Sequence, residues 1–372
     1  MLNSPVVRLR SIVIGFAILL FSSLAFAQHY TTTNLVSNVP GRAAVTDPNL
    51  QNAWGLVSGP GTPWWISNNA GGTSTLYNSA GAIVPLVVTV ANAPSQPAPG
   101  SPTGVMFNGS TTDFLLAPGK RAIFLWVTED GTVQGWNPGV QPTTAVIKVD
   151  HSQVPDAKNG AVFKGATIAE IDGKRFILAA NFRSGRVDVF DTNFQQVRLD
   201  DDAFNDERVR EGFAPFNVQA IGPNIYVTYA KQDAAKHDPV GGAGLGFVDV
   251  FNTHGRLVQR LEHGSWLNAP WGVVLTPGNF GEFSHTILVG QFRGGTIAAY
   301  NPVTGRFLGN VLNPDGTTFT SSGLWALEFG AGNANSGPAT TLFFTAGPDG
   351  EVNGLFGTLT PVAAELGEAD EL

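Results

Sequence analysis

The sequence predicts an all-β protein: a six-bladed β-propeller with four-stranded blades, whose ring is closed by an N-terminal strand. The first observation behind this prediction is a motif that recurs six times, about 55 residues apart, a spacing that suits one blade. The second is a composition rich in turn residues and large apolar side chains, with 45 Gly, 24 Pro, 25 Phe and 8 Trp among 372 residues. Short strands joined by glycine turns are typical of such a ring.

Each repeat carries two signatures. The first is a glycine turn, an alternating strand and an aromatic residue that is usually followed by Asn or Asp. It occurs at 72–78, 131–137, 185–191, 246–252, 295–301 and, in degenerate form, 350–357. The second lies earlier in the repeat and joins an aromatic residue to a small one, as in NAWG at 52–55 and NAPWG at 268–272. Together they predict an order of inner strand, middle strand, glycine turn, third strand and outer strand.

The inner and middle strands are predicted from their side chains. Small residues suit an innermost strand, because backbones converge on the axis of the ring; they are Gly55, Gly104, Ala166, Gly272 and Ala326. Apolar runs suit middle strands that are buried on both faces between neighbouring blades; they lie at 63–66, 122–127, 176–179, 225–229, 286–289 and 341–344. Two alternative folds fit less well, since a pair of β-sandwiches would not give six copies in register and a β-helix needs a shorter repeat.

The two ends of the chain are predicted separately. The last repeat supplies three strands, and residues 31–37 can add its outer strand, which removes an open sheet edge. Residues 1–27 are typical of a signal peptide, with Arg8 and Arg10 before an apolar run and the small-residue pattern LAFA before Gln28. The alternative is an uncleaved anchor, although the run is shorter than the roughly 20 residues that span a bilayer. We expect a signal peptide at 1–27, the propeller at 28–362 and an acidic tail at 363–372.

Charge and cysteine content exclude several classes of function. A net charge of −8 gives no electrostatic reason to bind nucleic acid or anionic lipid. The absence of Cys excludes disulfides, thiolate metal sites and cysteine nucleophiles. Together with the predicted signal peptide, these features lead us to expect an exported protein, periplasmic or extracellular, with no membrane span in the processed chain. Without disulfides, it should be stabilised by its core. We expect a monomer.

Several longer stretches resemble a known family. They are YVTYAKQD at 226–233, GFVDVF at 246–251, NAPWG at 268–272, LVGQF at 288–292 and GLWA at 323–326. The sequence is similar, from 34 to 360, to uncharacterised secreted bacterial proteins associated with the PEP-CTERM sorting system. The resemblance implies a secreted bacterial propeller without an established reaction. The sequence lacks a C-terminal Pro-Glu-Pro, membrane helix and basic cluster, so we do not expect it to be a sorting substrate itself.

A binding site is expected at the mouth of the central channel. The starts of the inner strands and the turns between second and third strands share one face of a propeller, and binding residues concentrate on such loops. The candidates are Asn52, Asn217 and Asn268 from strand starts, and Asn69, Asn181, Arg183, His237, Asp238 and Arg293 from turns. For the turn asparagines, a role in turn geometry is the alternative.

The charged candidates suggest two kinds of chemistry. Arg183 and Arg293 occupy equivalent turns and can hold a carboxylate or an acidic sugar, with a solvated turn or an ion pair as the alternative. His237 and Asp238 lie in the longest turn, 230–244, where they can bind a metal or transfer protons. The sequence has no zinc-binding helix motif, nucleophile elbow or phosphate loop, and the acidic run at 200–207 lacks the alternation of a calcium loop. The catalytic residues and metal ligands are therefore not assigned.

Two functions fit these features. The first is a non-enzymatic ligand- or glycan-binding or scaffold protein of the cell envelope or surface, which holds a small molecule, glycan or protein ligand at one face. The alternative is a metal-dependent lactonase or hydrolase of the gluconolactonase-like propeller type. No cofactor is evident from the sequence, but Ca or another divalent metal in the central channel would suit this alternative. The absence of a catalytic motif in the sequence favours the non-enzymatic function, with the hydrolase as the alternative.

Overall fold

A computed structural model describes residues 28–200 and 202–366. Six sheets, each with four main strands, are arranged as the six blades of a β-propeller, which confirms the predicted fold class; two of the sheets carry one additional short strand. The predicted signal peptide at 1–27, one residue of the acidic run and 367–372 of the predicted tail lie outside the described residues. No helix among the described residues is long and apolar enough to cross a membrane.

The strands are distributed over the blades in chain order. Two N-terminal strands come first: β1 (Tyr30–Ser37) and β2 (Val45–Thr46). Blade 1 contains β3 (Ala53–Val57), β4 (Trp64–Asn68), β5 (Thr73–Tyr77) and β6 (Ile83–Thr89). Blade 2 contains β7 (Pro102–Phe107), a small hairpin of β8 (Leu115–Ala117) and β9 (Lys120–Arg121), and β10 (Phe124–Thr128), β11 (Thr132–Trp136) and β12 (Val146–Asp150). Blade 3 contains β13 (Phe163–Ile171), β14 (Lys174–Asn181), β15 (Arg186–Phe190) and β16 (Gln196–Val197).

The remaining three blades follow the same order. Blade 4 contains β17 (Phe213–Ile221), β18 (Asn224–Gln232), β19 (Pro239–Val240), β20 (Gly246–Asn252) and β21 (Leu257–Arg260), with β19 paired to β18. Blade 5 contains β22 (Pro270–Leu275), β23 (Ile287–Gln291), β24 (Ile297–Tyr300) and β25 (Phe307–Asn310). Blade 6 contains β26 (Leu324–Phe329), β27 (Leu342–Ala346) and β28 (Leu355–Pro361). Short 3-10 turns lie at Asn69–Gly71, Gly281–Phe283 and Ala363–Glu365.

The ring is closed by β1, as the sequence predicts. This strand pairs antiparallel with β28, from Tyr30 opposite Pro361 to Ser37 opposite Leu355. The short β2 pairs parallel with β1. The Tyr30 side chain is buried, and its hydroxyl donates a hydrogen bond to the Phe280 carbonyl at 2.9 Å, so the closing strand also contacts blade 5.

Inner strands approach closely at the axis, which explains their small residues. A Cβ atom at Gly55 would overlap the Thr103 carbonyl of blade 2, and one at Gly104 would lie 2.7 Å from the Ala166 nitrogen of blade 3. The backbones of neighbouring blades therefore occupy the space that a side chain would need. The middle strands β4, β10, β23 and β27 are buried along their whole length, as expected for strands packed between two blades.

An aromatic plug fills the centre of the ring. We use this name for Trp54, Phe182, Phe216, Trp271, Phe292 and Trp325. Trp325 stacks on Trp54 and Phe292, with ring centroids 3.5 and 3.8 Å apart, and meets Trp271 edge to face at 5.9 Å. Trp54 and Trp271 come from blades 1 and 5, which are not adjacent, so their 6.3 Å contact is made near the axis.

Candidate functional site

Each blade contributes one polar side chain to a ring that borders the aromatic plug. We call this set the mouth ring: Asn69, Glu129, Lys164, Asp238, Arg293 and Glu351. Five of these side chains come from turns between the second and third strands of their blades, whereas Lys164 lies at the start of the inner strand β13. The blade order therefore places six polar groups around one axis.

The members of the mouth ring are joined by direct contacts. Asn69 Nδ2 donates to Glu129 Oε2 at 2.8 Å, and Lys164 Nζ donates to Glu129 Oε1 and, at 3.2 Å, to Asp238 Oδ1. Asn52 Nδ2 closes the other side, because it donates to Asn69 Oδ1 at 3.1 Å and to Glu351 Oε2 at 3.3 Å. The backbone at Asn52 is left-handed, with φ of 45°. This strained conformation is maintained where the side chain bridges two blades.

Arg293 completes the ring between blades 4 and 6. Its Nη1 lies 4.0 Å from Glu351 Oε1, and its Nε and Nη2 each donate to the Pro239 carbonyl at 3.4 Å. The guanidinium also lies 4.5 Å from the centroid of the Phe292 ring in the aromatic plug. Burial and the neighbouring Glu129 raise the pKa of Glu351, an effect that Lys164 and Arg293 oppose.

Lys164 is the most deeply buried charge of the site. Its side chain is 1% exposed, and its ammonium lies 5.5 and 5.9 Å from the ring centroids of Trp54 and Phe182. Burial alone would lower the pKa of Lys164, but Glu129 and Asp238 outweigh burial and raise that pKa. The two carboxylates therefore favour the ammonium form of Lys164, which does not suit a nucleophile or general base.

His237 and Asp238 form a pair on the outer side of the ring. His237 Nδ1 lies 3.0 Å from Asp238 Oδ1, the same oxygen that Lys164 contacts. The hydrogen bond from His237 and the charge of Lys164 hold the pKa of Asp238 well below its usual range. Asp238 is therefore ionised, and its second oxygen makes no hydrogen bond among the described residues.

Three side chains of the site could together ligate a metal. The ligand atoms of Glu129, His237 and Asp238 lie within 4.8 Å of one another. However, the Lys164 ammonium contacts both carboxylates, so it already supplies the positive charge that these oxygens attract. A divalent cation bound to the same oxygens would be repelled by this ammonium at short range. The donor set is therefore poorly suited to a metal while Lys164 keeps its position.

Of the nine predicted site residues, the structure brings five together in and beside the mouth ring: Asn52, Asn69, His237, Asp238 and Arg293.

The other four have different partners. Asn217 donates to the Trp271 carbonyl at 2.8 Å within the channel wall, and Asn181 donates to Asp188 at 2.8 Å. Arg183 Nη1 donates to the Gly160 carbonyl at 2.9 Å. Asn268 accepts a hydrogen bond from the Gly242 nitrogen at 2.7 Å, so it holds the long turn of blade 4.

Three members of the mouth ring were not among the nine predicted site residues, although the repeat places the turn of Glu351 on the mouth face. Glu129 lies in the blade 2 turn equivalent to that of Asn69, and Glu351 lies in the same turn of blade 6, so turn equivalence was the available signal. Lys164 had a different signal, because it is a charged residue beside the small Gly165 at the start of an inner strand. An inner strand has little room for a solvated charge, which indicates a buried partner.

Comparisons with known proteins give relatives for most of the chain. No family model matches. The uncharacterised protein R648 of Acanthamoeba polyphaga mimivirus is 31% identical over 333 residues, which cover 87% of this chain and 78% of R648. The chain belongs to the R648 family. The uncharacterised mimivirus protein L690 is 28% identical over 337 residues, which cover 87% of this chain and 84% of L690.

The R648 family corrects one expectation from the sequence. The inferred membership of a bacterial PEP-CTERM-associated family is wrong, because the relatives found are uncharacterised proteins of a giant virus. The stretches behind that inference, such as GFVDVF and NAPWG, are parts of the blade repeat. They identify strands of a propeller and not a sorting system.

Two solved structures that are similar to this R648-family protein are distant from it in sequence. A protein of unknown function from Bacteroides thetaiotaomicron VPI-5482 has a TM-score of 0.56 and 10% identity, and the match covers 90% of this chain and 77% of that one. A streptogramin B lyase has a TM-score of 0.50 and 11% identity, with 90% and 98% covered. At these identities the likeness shows the fold alone.

The mouth of this R648-family protein presents both donors and acceptors to solvent. The side chains of Asp238, Arg293, His237 and Glu351 are 59, 38, 37 and 32% exposed, in contrast to Lys164 beneath them. Two are carboxylates, one is a guanidinium and one is an imidazole. Such a surface can form several hydrogen bonds with one small polar molecule.

Proposed function

We propose that this R648-family protein is a non-enzymatic binding propeller that holds a small polyhydroxylated ligand, such as a terminal sugar of a glycan, at the mouth ring. The observation that carries this proposal is the exposed set of carboxylates, guanidinium and imidazole, supported by a buried ammonium that pairs with two carboxylates. A hydroxyl group both donates and accepts, so neighbouring hydroxyls complement acceptors on Asp238 and Glu351 and donors on Arg293.

Rigidity of the ring supports binding. Glu129 has both carboxylate oxygens engaged, one by Asn69 and one by Lys164. Asn52 has its carbonyl oxygen engaged by Trp325 Nε1 at 3.0 Å, which ties the ring to the aromatic plug. Side chains that are already fixed lose little conformational entropy when a ligand binds. Preorganisation of this kind favours recognition of a small ligand that makes few contacts.

The experiment is a binding screen on the purified protein with mono- and oligosaccharides, using ligand-observed NMR followed by calorimetry. Glu351→Gln should weaken binding of any ligand found about tenfold, since one charge-assisted hydrogen bond contributes roughly 1.5 kcal/mol. Val352→Ala is the matched control, because Val352 lies in the same turn, is 67% exposed and faces solvent. Absence of binding across the panel, or equal binding by Glu351→Gln and the control, would refute the proposal.

A metal-dependent hydrolase is the second candidate, and the proximity of Glu129, His237 and Asp238 favours it. Elemental analysis of the purified protein and a screen of lactones and esters distinguish the two functions. Stoichiometric metal together with chelator-sensitive turnover would replace the binding proposal. Because Lys164 contacts both carboxylates, we expect neither bound metal nor chelator-sensitive turnover in the native protein. We expect weak metal uptake only in Lys164→Met.

A further inference from the structure

The first described residues are held by acidic side chains from two different blades. The backbone nitrogen of Gln28 lies 3.2 Å from Glu282 Oε2, in the loop between β22 and β23. The backbone nitrogen of His29 lies 2.7 Å from Glu365 Oε2, beyond β28, and His29 Nδ1 lies 2.9 Å from Glu365 Oε1. Residues 28 and 29 are thus fixed between the loop of blade 5 and the end of blade 6.

The anchor next to these residues is apolar. Tyr30 is buried, and its ring stacks on Phe283, which belongs to the same loop as Glu282. Gly281 makes room for Gln28, because a Cβ atom there would overlap the Gln28 side-chain oxygen. The position of the Gln28 nitrogen relative to Glu282 is therefore determined by packing on both sides.

We propose that Glu282 is the acceptor for a new N-terminus at Gln28. A leader peptidase would hydrolyse the Ala27–Gln28 peptide bond: water adds across it, residues 1–27 leave with a carboxylate, and Gln28 gains an α-ammonium. That ammonium lies within hydrogen-bond distance of the Glu282 carboxylate. The inference is independent of the proposed ligand at the mouth ring.

The charges around Gln28 favour an ammonium over an amide. The titratable groups of the elements packed there are Glu282, Glu365, His29, Tyr30 and, on the segment after β25, Asp315. His29 already pairs with Glu365, whereas Glu282 has no cationic partner among the described residues. An amide N–H leaves Glu282 without a counter-charge, and cleavage at Gln28 supplies one.

Hydrogen bonds of the Gln28 side chain oppose cyclisation of the new N-terminus. An N-terminal glutamine cyclises when its amine attacks its own side-chain amide and releases ammonia. Here Gln28 Nε2 donates to the His29 carbonyl and to Glu365 Oε2, both at 2.9 Å, and to the Val362 carbonyl at 3.4 Å. These bonds engage the side-chain amide, and Glu282 engages the backbone nitrogen, so we expect an unblocked N-terminus.

The first test determines the N-terminus of the protein. The full chain is produced in a host that exports and processes leaders, and the product is examined by intact mass and N-terminal sequencing. The expected product begins at Gln28 with a free amine. A product that begins elsewhere, that retains residues 1–27 or that is lighter by one ammonia would overturn the proposal.

The second test follows the ion pair by thermal unfolding against pH. An α-amine titrates near pH 8, and pairing with Glu282 raises its pKa in the folded state, so the stabilisation is complete below about pH 8 and lost as pH rises further. Glu282→Gln should therefore melt below the processed wild type at about pH 7 and together with it above about pH 10. Glu211→Gln is the control, because Glu211 is exposed and makes no hydrogen bond or ion pair among the described residues.

A second background separates the ion pair from a structural role of Glu282. A leaderless chain with two added residues before Gln28 has an amide at this position. Glu282→Gln should have no pH-dependent effect in that chain. An equal effect in the processed and extended chains would show that Glu282 does not act as the acceptor of the N-terminus.

Discussion

Replacing Lys164 by Met should strongly destabilise the protein, because it removes the central cation of the mouth ring. Methionine keeps the apolar contact with Trp54 and Phe182 but leaves Glu129 and Asp238 without their ammonium. Breaking a buried ion pair by removing one partner costs about 3–5 kcal/mol. The cost falls mainly on Glu129, whose side chain is 11% exposed, whereas Asp238 is 59% exposed and keeps His237. We therefore expect a loss of about 3 kcal/mol.

A double-mutant cycle tests this reasoning. Glu129→Gln alone should cost about 1–2 kcal/mol, because Lys164 retains Asp238. In Lys164→Met/Glu129→Gln the uncompensated buried charge is gone, so the double variant should be more stable than Lys164→Met by about 1–2 kcal/mol.

The assay is urea unfolding followed by tryptophan fluorescence and circular dichroism, whose transitions must coincide for a free energy to be defined. Trp54 and Trp325 in the aromatic plug report on the centre of the ring. If Lys164→Met lost less than about 1 kcal/mol, the view of Lys164 as a buried counter-ion would be wrong. Additive losses in the double variant would refute the assignment of the cost to Glu129.

Two further predictions concern the channel wall. Burial raises the pKa of Glu328 to about 7 from its ordinary 4.5, so folding opposes its ionisation and stability falls as pH rises from about 4.5 to 7. Glu328→Gln should be more stable than wild type at about pH 8 by up to about 3 kcal/mol, and this gain should be absent near pH 4.5. Equal gains at both pH values in urea unfolding would contradict this prediction. Gly104→Ala should lower the free energy of unfolding by about 1–3 kcal/mol, because the new Cβ would lie 2.7 Å from the Ala166 nitrogen. Gly109→Ala is the control: its Cβ would meet only Phe107, at 3.7 Å, so this variant should be nearly neutral in the same assay.

The fold could be predicted because it depends on local and periodic features of the sequence. Gly55 and Gly104 recur at the positions where inner strands meet, and the apolar runs mark strands buried between blades. The closing strand could be predicted as well, since the last repeat lacks an outer strand and residues 31–37 can supply one. These inferences need only the repeat and the sheet-edge argument.

The site could be predicted only in part, because it depends on which side chains turn toward the axis. Asn217 illustrates this: it lies within the inner strand β17, and its amide donates to the Trp271 carbonyl in the channel wall. Lys164 illustrates the converse. Its two carboxylate partners come from turns 35 residues before it and 74 residues after it, so no local pattern reports the pairing.

Closure of the ring and the geometry of the mouth are mechanically connected. The turn that carries Glu351 is held by the segment that follows β1: Asn38 Nδ2 donates to Asn353 Oδ1 at 3.0 Å, and Arg42 pairs with Asp349 at 2.6 Å. The Glu351 backbone is left-handed, with φ of 72°, a conformation that surrounding contacts must maintain. The strand β1 is positioned in turn by Tyr30 and by the contacts of Gln28 and His29 with Glu282 and Glu365. Docking of the N-terminal segment therefore helps to fix the position of the Glu351 carboxylate in the mouth ring. Weakened docking should therefore reduce ligand affinity even though no residue of β1 belongs to the mouth ring.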